Sequence, residues 1–221
     1  MTDPSFLPDT RASYDAVAAA YAARFRDGLA GKPLDRAVLA GFAELVLAGP
    51  SGTVADVGCG PGDTTAHLRG LGLDTFGVDL SPGMVAVARR DHPGLRFVEG
   101  SMLALDLPDG ALGGVVAFYS TTHLPPERLP TAFAEFHRVL APGGQLLVAF
   151  QVGEGINRAT GWLGHPVSMS LYRRQPEQVA ELVALAGLVP HARLLREPDD
   201  DGVEGTARAY LLARKPGEAS R

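Results

Sequence analysis

The chain has 221 residues, 46% hydrophobic and 20% charged, which is enough apolar material for one sizeable core without disulfide or metal staples. Twenty basic against 25 acidic residues leave a formal charge of −5 with no basic run, excluding a general nucleic-acid binder. The single cysteine, Cys59, cannot form an internal disulfide. The first residues lack the basic, apolar, small order of a secretion signal, and no apolar run reaches the ~18 residues of a membrane span, so a cytoplasmic protein with no membrane partner is expected.

Residues 9–29 and 34–47 read as two Ala-rich helices separated by Gly31 and Pro33, with Tyr14, Val17, Tyr21 and Phe25 on one face of the first. Residues 53–57 change to a short β-branched run, stopped by Gly58-Cys59-Gly60-Pro61-Gly62: a strand entering a glycine turn. A helix from Asp63 or Thr64 to Leu71, a strand over 74–80, a helix opened by Ser81-Pro82 and ending near Arg90, and a strand over 95–99 follow. Residues 113–119 are another apolar run, 126–140 a helix closed by Pro142-Gly143-Gly144, and 145–152 the most strand-like segment. Periodicity is lost over 153–166. A helix over 176–186 and strands over 189–196 and 206–213 complete the pattern, the last two joined by an acidic turn over 199–205 as an antiparallel hairpin; the tail, 216–221, is expected to be loose.

Strands alternating with helices predict an α/β fold: a Rossmann-like three-layer sandwich around a mostly parallel seven-stranded sheet whose last strand is antiparallel. The expected organisation is one domain, with a helical N-terminal lid over 1–50, a cofactor-binding core over 53–152, a substrate-side insert over 153–175 and a C-terminal helix and hairpin over 176–214. In such sheets ligands bind at the carboxyl ends of the strands, which directs attention to the first glycine turn. Gly58, Gly60 and Gly62 let a ligand approach the main chain, and Asp79 falls at the offset where an acid accepts from ribose hydroxyls. A dinucleotide fingerprint would carry a third glycine where Asp63 stands. That acid, with Asp56 just upstream, suits a ligand bearing ribose, an ammonium and a sulfonium, namely S-adenosylmethionine.

VADVGCGPGDTT (54–65), FGVDLSPGMVAVARR (76–90), VEGSMLALDLPDG (98–110), GGVVAFYSTTHLPPERL (113–129) and FHRVLAPGGQLLVAF (136–150) together resemble the class I S-adenosylmethionine-dependent methyltransferases in their small-molecule branch. The resemblance implies that Gly58, Cys59, Gly60 and Gly62 line the methionyl part, that Asp56 orients its ammonium and that Asp79 holds the ribose. It places Leu80 and Met84 on the adenine faces, offers the Met102 N–H to the ring edge, and sets Tyr119 and Ser120 beside the methyl with the Tyr119 carbonyl toward the ammonium. Two positions depart from the pattern: Ser101 stands where relatives have an aspartate for the adenine amino group, and Gly114 where many have an acid. N-terminal helices cover the pocket in relatives, so Tyr14 or Tyr21 is expected to line it.

Methyl transfer relies on holding acceptor and methyl in line, so few special side chains are needed. If the acceptor must lose a proton, His123 is the candidate base; it can instead cap the next helix or bind substrate. Tyr14 and Tyr21 are either core or catalytic, Met84 either core or ligand packing, and Cys59 reads as a small loop residue. Trp162, His165 and Tyr172 lie in or beside the irregular segment, where substrate-facing residues gather. No metal-ligand spacing is present. The expected activity is methylation of a small molecule at oxygen or nitrogen by a monomer or homodimer. An NAD(P)-dependent oxidoreductase and a non-catalytic S-adenosylmethionine-binding module are the alternatives.

Overall fold

In the computed structural model, residues 6–26, 28–49, 52–199 and 205–217 are described. The apolar runs TVADV and TFGVD form β1 (Thr53–Val57) and β2 (Thr75–Asp79), buried on both faces as parallel strands between helical layers must be. With β3 (Arg96–Glu99), β4 (Leu112–Phe118), β5 (Leu140–Gln151), β8 (Val189–Arg196) and β9 (Arg208–Arg214) they make one sheet in the order β3-β2-β1-β4-β5-β9-β8. The strands β3, β2, β1, β4 and β5 pair in parallel, and β9 is antiparallel to both of its neighbours, so the expected last antiparallel strand is present. Strand order reverses between β1 and β4, which opens the crevice that holds the site.

The helices α3 (Asp63–Gly70), α4 (Pro82–Asp91), α5 (Leu129–Val139) and α6 (Pro176–Leu185) flank the sheet. On α5 the buried positions Leu129, Ala132, Phe133, Phe136 and Val139 recur at helical spacing and close the main core with Val115, Ala117, Leu146 and Val148. The helix expected over 126–140 starts only at Leu129, because Pro130 fits the first turn of an α-helix while Pro126–Arg128 forms a 3-10 turn.

The N-terminal segment divides in a way the lid expectation misses. Helix α1 (Phe6–Phe25), which ends before residue 29, packs Val17, Ala18 and Ala22 on Met84 and Val87 of α4 and lies across the site. Helix α2 (Pro33–Leu47) is a sheet helix instead: Leu39, Phe42, Ala43 and Val46 are buried against Val54, Val116 and Leu147. This explains Gly114, where an added Cβ would lie 2.8 Å from Phe42 and 3.1 Å from Val46; an acid there would meet core, not ligand.

Two more expectations are corrected. Pairing of β5 begins at Leu140, since the Pro-Gly-Gly turn is an irregularity within the strand and not its boundary. Residues 153–166, expected to be irregular, contribute to a separate antiparallel hairpin of β6 (Ile156–Trp162) and β7 (His165–Tyr172). Its sequence hides the strands because the hairpin buries little: Val167 and Met169 face α1, and most of β6 is exposed. Residues 200–204 of the acidic turn and 218–221 of the tail lie outside the described residues. Among the described residues, no helix is long and apolar enough to cross a membrane.

Candidate active site

The crevice is a cavity of about 400 Å³ floored by the strand ends and roofed by α1. Its first wall is the glycine turn. Gly58, Gly60 and Gly62 all have positive φ, of 76°, 53° and 93°, where a side chain is strained. They serve different ends. At Gly58 a Cβ would sit 2.3 Å from the Ser120 Cβ, because the Ser120 hydroxyl donates to the Val57 carbonyl at 2.6 Å and draws the β4 end against the β1 end. A Cβ on Gly60 would meet nothing within 4 Å, leaving its main chain open. Gly62 is the left-handed cap of α3, with Phe97 at 2.7 Å from a built Cβ, and does not line the cavity.

Asp79, at the end of β2, accepts from the Gly60 N–H and the Ser81 N–H, both at 2.8 Å, and lines the cavity. Burial raises its pKa, while main-chain bonds from Ser81, Gly60 and Leu80 oppose the rise and pin the carboxylate in place. Leu80, Met84, Ser101 and Met102 line the same half. Ser101 spends its hydroxyl oxygen on the Leu103 N–H, at 3.2 Å, holding the turn after β3. Cys59 also lines the cavity, but its thiol packs with Val85, Ala88 and Phe97, and burial pushes its pKa well up, as befits a small packing residue.

Asp56 is not among the lining residues. It is 1% exposed and accepts from the Thr65 hydroxyl at 2.7 Å, so it fixes α3 to β1 instead of facing the ligand. Burial is the main cause that raises its pKa to about 7.

The second half lies over the ends of β4 and β5. Tyr119 has φ of 58°, an uncommon conformation for a residue with a side chain, and lines the cavity with Ser120 and His123. The His123 Nδ1 lies 3.1 Å from the Ser170 carbonyl and its Nε2 2.6 Å from the Tyr14 hydroxyl. A carbonyl only accepts, so Nδ1 carries the ring proton and Nε2 receives the Tyr14 O–H. Burial lowers the His123 pKa to about 4 and raises that of Tyr14, so both are neutral near pH 7. Both imidazole nitrogens thus have partners, and Tyr14 and His123 line the cavity together.

Tyr21 lines the cavity as well, and burial lifts its pKa to about 12. The three residues expected from the insert do not line it. Trp162 packs edge-to-face against Tyr14 and Tyr21 and tilted against Phe25, with ring centroids 6.1, 5.3 and 6.2 Å away. His165 is exposed at the start of β7, and Tyr172 gives its carbonyl to the Thr122 hydroxyl at 3.3 Å. Both stay outside because the insert is an ordered hairpin that braces α1, not a loop folded into the crevice.

Sequence reading missed part of the far wall: Phe6, Lys32, Asp35, Phe118, Gln151 and Arg208. Asp35 had a legible signal, being in phase with the apolar face of α2 through Leu39 and Phe42. It is buried beneath the hydroxyls of Tyr119 and Tyr210 and lies 3.6 Å from the Arg196 guanidinium. Gln151 and Arg208 are cross-strand partners on β5 and β9, a pairing set by the hairpin register. Among the described residues, no group of three or more His, Cys, Asp or Glu could hold a metal ion.

The comparisons with known proteins agree with this geometry. A family described as "Methyltransferase domain" matches residues 54–144. The demethylmenaquinone methyltransferase of Thermus thermophilus is 41% identical over 102 residues, 43% of this chain and 45% of that protein. The malonyl-[acyl-carrier protein] O-methyltransferase of Pectobacterium atrosepticum is 30% identical over 127 residues, 52% of this chain and 49% of that protein. The chain thus spans about half the length of these curated relatives. Among solved structures, the Burkholderia thailandensis 1,6-didemethyltoxoflavin-N1-methyltransferase, with 1,6-didemethyltoxoflavin and S-adenosylhomocysteine bound, superposes over 98% of this chain and 92% of its own at a TM-score of 0.74 and 20% identity. The methyltransferase-domain match covers residues 54–144, and the likeness to the solved structure, with the sheet order, shows a shared Rossmann-like fold.

Proposed function

We propose that the protein transfers the methyl group of S-adenosylmethionine to a small molecule, at an oxygen or nitrogen. The observation that carries this is the Asp79 carboxylate pinned against the open Gly60 main chain in the cavity beneath α1. The residues fit the cofactor: an acid fixed in place on the cavity wall suits ribose hydroxyls, and Asp63 and Asp79 on one wall suit a cation and oppose a pyrophosphate. Gly58, Cys59 and Gly60 would hold the methionyl part, Asp79 the ribose, Leu80 and Met84 the adenine faces, and Ser101 and Met102 its edge. Asp56 would act only through the placement of α3. When bound, S-adenosylmethionine supplies an electrophilic methyl on a sulfonium.

The chain's own contribution is orientation and the exclusion of water by α1. An O–H or N–H acceptor in the β4–β5 half donates to the Tyr14 oxygen, and Tyr14 passes its own proton to the His123 Nε2. The acceptor would gain a C–O or C–N bond as the methyl–sulfur bond breaks, S-adenosylhomocysteine would leave as the neutral thioether, and the acceptor's proton would be balanced by the one His123 receives. His123 is a weak base, so the relay suits an oxygen, whose proton becomes very acidic on methylation, better than an amine.

Calorimetric titration with S-adenosylmethionine, S-adenosylhomocysteine and NADH tests the cofactor reading. Micromolar binding of both adenosyl ligands, lost in Asp79→Ala and absent for NADH, is expected. Binding of NADH alone would install the oxidoreductase reading instead. Binding with no methylated product across a screen of hydroxylated and amine acceptors would leave a non-catalytic module. In Tyr14→Phe the chemical step should slow about 10²-fold or more with cofactor binding retained; an unchanged rate would remove the relay.

A further inference from the structure

Three consecutive residues of α1 grip three different elements around the site. The Ser13 hydroxyl accepts from the Ser168 N–H at 2.9 Å, on the hairpin. Tyr14 reaches His123, beyond β4. Asp15 reaches the start of α4: one carboxylate oxygen accepts from the Ser81 hydroxyl at 2.5 Å and from the Gly83 N–H at 2.8 Å.

The Asp15 contact differs from the other two in what lies behind it. Ser81 is the N-cap of α4, its side-chain oxygen accepting from the Met84 N–H at 3.0 Å while its own N–H donates to Asp79. A carboxylate at this position also opposes the positive end of α4. The two helices meet closely enough that a Cβ on Gly83 would lie 3.1 Å from the Asp15 Cα and 3.3 Å from the Ala18 Cβ. One continuous chain of hydrogen bonds therefore runs from the roof, through Ser81, to the acid at the cavity floor. Leu80 and Met84, on either side of Ser81, line the same cavity.

We propose that Asp15 is a positioning residue that couples docking of α1 to occupancy of the cofactor half of the site. This rests on the cofactor reading above. Docked, α1 roofs the cavity with Tyr14 and Tyr21, so a ligand enters with α1 raised and is retained once Asp15 engages Ser81 and Gly83. The clasp also sets the order of events: Tyr14 meets His123 only when its neighbour Asp15 is seated, so the proton relay is assembled after the cofactor half is filled.

The test uses S-adenosylhomocysteine as probe, with calorimetry for affinity and hydrogen exchange of α1 as a readout independent of catalysis. Asp15→Ala should weaken binding about tenfold and abolish the protection of α1 that the probe confers on the wild-type chain. Asp15→Asn retains an acceptor oxygen for Ser81 and Gly83 and should recover part of both. Combining Asp15→Ala with Ser81→Ala should cost less than the sum of the single losses. Wild-type-like affinity and α1 protection in Asp15→Ala, with the wild type binding normally, would overturn the coupling alone. Failure of the wild type to bind the probe at all would overturn the cofactor reading and the coupling with it.

Discussion

Asp56 and Asp79 show what spacing conveys about a residue and what it leaves out. Both acids sit at strand ends of the predicted motif, and both are where the sequence puts them. Only Asp79, the last residue of its strand, turns into the cavity, whereas Asp56 is held by Thr65 beneath α3. Direction depends on which helix residue stands opposite, and that is tertiary information. The burial of Asp56 has a measurable consequence. Its pKa of about 7 lies above the ordinary carboxyl value, so the folded chain holds a proton that the unfolded chain releases from about pH 4 upward. The stability this contributes is complete below the ordinary value and is lost as pH rises through about 7. Asp56→Asn mimics the protonated form and keeps an oxygen for the Thr65 hydroxyl. Melting curves should therefore show variant and wild type closest near pH 4, with the variant gaining by up to about 1.4 kcal/mol per pH unit between about pH 4 and 7 and the gap levelling off above pH 7. Parallel curves across that range would mean that the carboxyl is not titrating there.

At the scale of elements, the glycine turn was legible as a unit, but its three glycines were not distinguishable. Sequence gives each the same reason for existing, namely tolerance of positive φ. The fold separates them by what each would strike: the Ser120 side chain for Gly58, open cavity for Gly60, the Phe97 ring for Gly62. Gly58→Ala should therefore be a stability lesion of several kcal/mol, since φ strain adds to a collision that can be relieved only by parting β1 from β4. Gly60→Ala should cost only the strain, about 1 to 2 kcal/mol, and its methyl would occupy the cavity. Urea unfolding and S-adenosylhomocysteine titration of the two variants should give opposite rankings, Gly58→Ala the less stable and Gly60→Ala the weaker binder per unit of stability lost. Equal rankings in both assays would remove the division of labour. The same argument explains why the hairpin of β6 and β7 escaped detection. Its strands are stabilised by pairing and by one patch against α1, so most of the alternation that marks a half-buried strand is missing.

For the whole molecule, the alternating order of strands and helices made the fold class and the antiparallel last strand readable, because parallel strands need crossovers and every one here but that from β3 to β4 leaves a helical period. What could not be read is how the ends of the chain meet. Asp35 on α2 is buried against Tyr210 on β9, 175 positions later, and the Tyr210 hydroxyl donates to it. The same oxygen lies 2.8 Å from the Tyr119 hydroxyl and accepts from the Arg196 Nε at 3.2 Å. The acid, the guanidinium and two phenols form one largely buried network joining α2, the end of β4 and the C-terminal hairpin, and part of it walls the far end of the cavity. Tyr210→Phe removes the oxygen at its centre, leaving the Asp35 carboxylate short of a donor in a buried place. A loss of about 1 to 3 kcal/mol is expected in urea unfolding. Because the network spans both chain ends, the loss should appear equally by far-ultraviolet circular dichroism and by Trp162 fluorescence, which reports the α1–hairpin contact on the opposite flank. A shift confined to one probe would show that the two flanks unfold separately and that the network does not bind the chain into one cooperative unit.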